Sequence, residues 1–246
     1  MSADPTNKGP RPRSNWSCCL VTGLGTIAVV VLAVSGLRWP FRWQDEKPRQ
    51  DRWERQVADV KAGKTAEVFI DDDRLFVEFV QNQPDVAAKV TRVIIQTLRP
   101  RPRKVVDERF DNSLRQLPHL EAIVFDETCD DVGPLLARLA GKESITSLSF
   151  YMTYLTDEGV RAVADFPNLK HLHVDGHWNR LNWEPLQSHK GLESLVWDDA
   201  KMTEERTKIL ASWPRLQTLT IEIPDADFQK LKTALPHVKE MRNNMK

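Results

Sequence analysis

From about Val90 to the C-terminus, short apolar runs return at a nearly constant interval. Val90-x-x-Val93-x-Ile95 is followed by Leu120-x-x-Ile123-x-Phe125, Ile145-x-x-Leu148-x-Phe150 and Leu169-x-x-Leu172-x-Val174. Leu192-x-x-Leu195-x-Trp197 and Leu216-x-x-Leu219-x-Ile221 come next, and Val238-x-x-Met241 reads as a truncated last copy. Successive starts lie 30, 25, 24, 23, 24 and 22 residues apart. Within each run the fourth and sixth positions are apolar and the third, fifth and seventh are mostly polar. That period of two predicts a strand with one buried face. The punctuation repeats too. Leu117-Pro118-His119-Leu120, Phe166-Pro167-Asn168-Leu169, Trp213-Pro214-Arg215-Leu216 and Leu235-Pro236-His237-Val238 place an apolar residue, then a proline, then the next strand. Proline lacks the N–H and disfavours helical geometry before it, so it ends the preceding helix. Helical spacing is visible ahead of it, as in Val160, Val163, Ala164 and Phe166, with Thr156 or Asp157 as cap and Glu158 in the first turn. The long first interval holds Pro100, Pro102 and the basic run Arg99–Lys104, which predicts a loop insertion.

A single strand–loop–helix unit cannot bury its apolar face alone, and stacking copies joins the strands into a parallel sheet over a continuous core. The chain resembles leucine-rich-repeat proteins, whose units run about 20–29 residues around an L-x-x-L-x-L core. The likeness is strongest to repeats with an L-T-D-x-G-[LV] turn. Leu155-Thr156-Asp157-Glu158-Gly159-Val160, leading to Phe166-Pro167-Asn168-Leu169-Lys170-His171-Leu172, carries it. Met202-Thr203-Glu204-Glu205 keeps the turn outline, and Asp225-Ala226-Asp227-Phe228 keeps less. The resemblance spans roughly residues 86–246. It implies an α/β leucine-rich-repeat solenoid, parallel sheet on the concave side and helices on the convex side, that binds macromolecules. Such a fold does not by itself fix a function.

Ahead of the repeats, residues 63–85 are expected to form an N-terminal cap. Ala66–Ile70 and Leu75–Val80, split by Asp71-Asp72-Asp73, suit a hairpin or a strand followed by a helix. Residues 38–62 are charged, lack a strong apolar stripe and read as a linker with some helical tendency. Residues 16–37 read as a transmembrane helix after a basic tail, 1–15. No charged residue occurs from Ser14 to Leu37, and about 20 apolar residues cross a bilayer core. Trp16 lies at one end, and Trp39, Phe41 and Trp43 at the other, where amphipathic rings favour the interface. The competing reading is a cleaved signal peptide ending near Ala33-Val34-Ser35. Single-pass membrane localisation is expected, with the C-terminal domain leaning towards export. Counting only bases, three before the apolar run and six after it, points the other way.

Charge narrows the partners. Lys plus Arg and Asp plus Glu each total 35. Residues 1–15 and 38–55 each carry a net +2, which leaves residues 56–246 at −4. That distribution argues against a polybasic nucleic-acid face. Three cysteines, Cys18, Cys19 and Cys129, make neither a disulfide framework nor a CxxC metal motif.

The outward strand positions supply the candidate site. They read Arg92, Ile94, Gln96; Ala122, Val124, Asp126; Ser147, Ser149, Tyr151; His171, His173, Asp175; Ser194, Val196, Asp198; and Thr218, Thr220, Glu222. Strands about 4.8 Å apart turn each position into a column of neighbours. The seventh-position column is acidic. Asp126, Tyr151, His171, His173, Asp175, Asp198 and Glu222 are therefore the expected partner-binding residues, with Trp178 or Trp183 as further aromatic anchors. A hydrophilic face that only keeps the domain soluble is the plainer reading of the same column. His171, His173 and Asp175, with Asp198 beside them, also have the donor chemistry of a zinc site. Motifs for catalysis are missing. Gly23-Leu24-Gly25 lies in the apolar run, Gly63-Lys64-Thr65 has Ala58 where a phosphate loop needs glycine, and neither HExxH nor GxSxG occurs. The expected function is protein binding or scaffolding without catalysis or cofactor. A metal-dependent site on the two histidines is the alternative, and a purely structural role is the third.

Overall fold

The computed structural model describes residues 40–96, 108–128 and 131–245. The chain divides into two units, Met1–Glu46 and Lys47–Lys246, and the second carries the fold. Among the described residues eight strands form one sheet in strict chain order, β1 to β8. They are β1 Glu67–Ile70, β2 Arg92–Gln96, β3 Ala122–Asp126, β4 Ser147–Tyr151, β5 His171–Val174, β6 Ser194–Trp197, β7 Thr218–Ile221 and β8 Glu240–Asn243. Every neighbouring pair is parallel. The register joins like positions of successive units, so Val68, Val93, Ile123, Leu148, Leu172, Leu195, Leu219 and Met241 form one inward row. All but Met241 are fully or nearly fully buried. The sixth positions make a second inward row in which Phe125 and Phe150 stack with ring centroids 5.3 Å apart.

Helices return the chain between most strands: α2 Asp73–Asn82, α3 Glu108–Gln116, α4 Gly133–Leu139, α5 Asp157–Ala164, α6 Glu204–Ala211 and α7 Asp225–Ala234. Their apolar stripes and the inward rows share one core. Of the two caps that the sequence offered for α5, Thr156 is the one used, and α6 carries a threonine cap that was not foreseen. The Thr156 hydroxyl accepts the Gly159 N–H of α5, and the Thr203 hydroxyl accepts the Arg206 N–H of α6. Between β5 and β6 two 3₁₀ turns, Gly176–Arg180 and Glu184–Ser188, replace a helix. The space a helical stripe would fill is taken by Trp178 and Trp183, both essentially buried. Neither tryptophan is an exposed anchor, contrary to the sequence expectation. A loop position gave no periodicity from which to judge their direction.

At the N-terminal end, β1 joins the sheet as a further repeat-like strand, followed by α2. The stretch read as a linker is helical from Pro40 to Lys61, here α1. Its Trp53, Val57 and Val60 are buried, and Trp53 packs edge-on against Phe76 and Phe79 of α2 at 6.4 and 5.6 Å. The Gln56 amide accepts the Phe69 N–H at 2.7 Å and donates to the Phe69 carbonyl at 3.3 Å. That pair of bonds satisfies the open side of edge strand β1, which would otherwise invite pairing with another chain. Three apolar residues among many charges were too sparse a stripe to read as a cap from sequence.

The expectations for residues 1–15, 16–37, Arg99–Lys104 and Cys129 fall outside the described residues. Among the described residues no helix is long and apolar enough to cross a membrane. The membrane localisation inferred from sequence is corrected accordingly: α1, at 22 residues, has the length but is dominated by charged and polar side chains.

Candidate binding face

The face of the sheet away from the helices carries the outward columns in register. Arg92, Ala122, Ser147, His171, Ser194 and Thr218 align, as do Ile94, Val124, Ser149, His173, Val196 and Thr220. Gln96, Asp126 and Tyr151 begin the third column, and the Gln96 amide donates to Asp126 at 3.1 Å. The alternation that buries one residue of each pair turns the other to this face, where Val124 alone of the column residues is nonetheless buried.

At the centre of this face three strands are tied side chain to side chain. The Tyr151 hydroxyl on β4 lies 2.8 Å from His173 Nδ1 on β5, and His173 Nε2 lies 2.7 Å from Asp198 Oδ2 just past β6. An ionised carboxylate only accepts, so Nε2 carries the proton towards Asp198. In the neutral ring Nδ1 is then the acceptor and the phenol donates to it. The Tyr151 and His173 rings meet edge-on with centroids 4.4 Å apart. Burial, then the Asp198 and Asp126 carboxylates, push the Tyr151 phenol above its ordinary pKa, against the opposing pull of Arg92 and the Ser149 hydrogen bond. The phenol is therefore held protonated, as a donor.

Asp175 is used differently. Its carboxylate caps the first 3₁₀ turn by accepting the His177 N–H at 3.0 Å, and it also accepts the Met152 N–H from the preceding unit. His171 stands exposed on β5, Asp126 is half-buried, and Glu222 is exposed past β7. Thus Tyr151, His173 and Asp198 come together, Asp175 is occupied in fixing a turn, and His171 and Glu222 stand apart.

The zinc alternative does not survive this geometry. Both ring nitrogens of His173 are engaged, Asp175 serves two backbone donors, and His171 joins neither. Among the described residues no three His, Cys, Asp or Glu side chains converge so as to hold a metal ion.

Sequence reasoning missed the residues immediately past the seventh column. Glu127, Met152 and Asp199 occupy the same place in three units and all have positive φ, at 49°, 45° and 50°. The chain turns out of the sheet there. Thr153, the next residue, is buried, and its hydroxyl lies 3.1 Å from the Phe125 carbonyl and 3.0 Å from that of Tyr151. Gly176 stands at the corresponding place after β5. A Cβ on it would come 2.5 Å from the Asp199 carboxylate, so any larger residue would press on the side chain of the next unit. Arg206 was missed as well. It is buried, lies over Trp197 and Trp183 at 5.4 and 6.0 Å, and donates to the Asn179 and Lys201 carbonyls. This cation ties the β5–β6 connection to the turn before α6 from the core side, away from the open face.

No protein-family model matches the chain. No curated protein matches it in sequence. Among solved structures it is similar to an internalin from Listeria monocytogenes at 15% identity and a TM-score of 0.38, covering 63% of this chain and 49% of that one. A chain of the Toll–Spatzle complex of Drosophila aligns at 14% identity and 0.45, covering 73% and 24%. Actin-binding site 2 of leiomodin-1 aligns at 16% and 0.37, covering 66% and 86%. The chain thus spans about half of the internalin and a quarter of the Toll-complex chain. The α/β assignment rests on the chain's own register: one parallel sheet, ordered as the sequence is.

Proposed function

We propose that this chain is a leucine-rich-repeat solenoid that binds a protein partner through the open face of its sheet and performs no chemistry of its own. The observation that carries this reading is the Tyr151–His173–Asp198 chain of hydrogen bonds. It fixes an aromatic side chain and a carboxylate in place across three strands on an otherwise uncovered face. A side chain already held in one rotamer loses little entropy when a partner docks, which favours its use in recognition. The raised phenol pKa keeps Tyr151 in its protonated, weakly nucleophilic form, which suits a recognition role better than attack on a substrate.

Charge reversal on the open face tests it. Full-length chain carrying Asp126→Lys and Glu222→Lys is compared with Arg161→Glu on the helix side by the proteins that co-purify from its native source. The face variant is expected to hold its partner roughly tenfold more weakly, a change of about 1.4 kcal/mol. Unaltered co-purification, or loss confined to Arg161→Glu, would move the binding surface to the helices.

A further inference from the structure

The open face ends in an edge where the chain leaves the strands, and that edge has an unusual composition. Among the described residues the exposed large hydrophobic side chains are Met152, Tyr154 and Met245, the first two at 58% and 57% exposure. Met152 and Tyr154 flank the buried Thr153 in one turn. Met152 also has a φ of +45°, a region that L side chains enter at a cost and that Asn, Asp and Gly tolerate best. The equivalent places after β3 and β6 hold Glu127 and Asp199, which are exposed and polar. Methionine here loses on both counts, exposing apolar surface and occupying a left-handed conformation. The bond from the Met152 N–H to Asp175 holds the backbone of the turn but leaves the side chain 58% exposed. An exposed apolar side chain at a left-handed turn points to a contact outside the molecule.

Hydrogen bonds link this turn to acids on both sides. The Glu127 N–H donates to the Tyr151 carbonyl, and the Met152 N–H donates to Asp175. Asp198, whose side chain is 40% exposed, anchors the Tyr151–His173 pair. Farther along, the Glu222 N–H donates to the Trp197 carbonyl and its own carbonyl accepts from Ala200. The basic groups on the same connections are His177, which pairs with Asp175, and Arg180 and Lys201. The acids outnumber them, and they rim the apolar step.

Resting on the binding reading above, we propose that this edge takes a basic segment of a protein partner. An aliphatic or aromatic side chain of that segment seats on Met152 and Tyr154, and flanking lysines or arginines meet Glu127, Asp198, Asp199 and Glu222. Opposite charge steers the segment to the edge and rejects acidic competitors, while the apolar step fixes its register.

The test uses random dodecapeptides displayed on phage and selected against the full-length chain, with fluorescence anisotropy on the selected peptides. The expected consensus is rich in Lys and Arg around an apolar residue. Binding is expected to weaken as salt is raised. It should fall roughly tenfold or more in Glu127→Lys with Glu222→Lys, and comparably in Met152→Asn with Tyr154→Ser. Met152→Asn puts at φ +45° a residue that accepts it, so its melting temperature should match or exceed that of the parent, separating lost contact from lost fold. Peptides without a basic excess overturn the proposal, as do basic peptides that bind all the variants as tightly as the parent. In either event, selected peptides competed off by substitutions elsewhere on the sheet face leave the binding reading intact. Peptides sensitive only to Arg161→Glu on the helix side overturn both.

Discussion

Tyr151 stands where several constraints meet: a strand position that must face outward, a neighbouring imidazole that accepts its proton, and two carboxylates that disfavour its anion. With folding, its phenol pKa rises above the unfolded value, chiefly through burial and then Asp198. A group raised in this way contributes stability that is complete below the unfolded phenol pKa of about 10 and is lost as pH climbs through the folded value. The chain has two tyrosines, so a Tyr154→Phe variant reports on Tyr151 alone. Its ultraviolet titration is expected to show phenolate appearing above the ordinary range, moving back towards it when Asp198→Asn is added. Ionisation at or below the ordinary value would mean that Tyr151 is not held between His173 and the acids. At this scale the outward columns were legible because a strand alternates strictly. The bonds among Tyr151, His173 and Asp198 were not, since rotamers are chosen by neighbours 22 and 25 residues away in sequence. Trp178 and Trp183 were misjudged for the same reason: in a segment without a period, composition alone does not say which way a large ring points.

Elements explain why the one well-kept turn motif has a glycine. Gly159 on α5 lies against Gly133 on α4, and a Cβ added to Gly159 would come 3.2 Å from the Gly133 Cα and 2.3 Å from Leu155 Cδ1. Two helices of adjacent units therefore approach closely at a pair of residues without side chains. Gly159→Ala should gain about 1 kcal/mol in helix propensity and lose about 1–3 kcal/mol by overpacking a buried contact. Leu155 is itself buried and has little room to yield, so a net loss of ~1–2 kcal/mol is expected. Urea unfolding at an unchanged m-value is the check, and an increase in midpoint would show that the helices separate freely. The strand, proline and cap signals made most elements readable from sequence. The cap α1 was the exception, because Trp53, Val57 and Val60 are scattered among charges and gain meaning only against Phe76 and Phe79.

For the whole molecule, sheet order equal to chain order makes each unit depend mainly on its neighbours. The period of 22 to 25 residues after the first interval was enough to give the parallel sheet and the outward positions of β2 to β7, but not those of β1 or β8. The use of that face is a matter of chemistry at its surface, where Met152, Tyr154 and the fixed Tyr151 stand among acids. A photocrosslinking amino acid placed in the full-length chain tests this most directly, at Ser149 or Thr220 on the open face and at Arg161 or Gln187 on the helix side. Irradiation in the native source should give a discrete adduct of one protein from the face positions and none from the helix side. Adducts from Arg161 or Gln187 alone would contradict the account and make the sheet face a solvated surface.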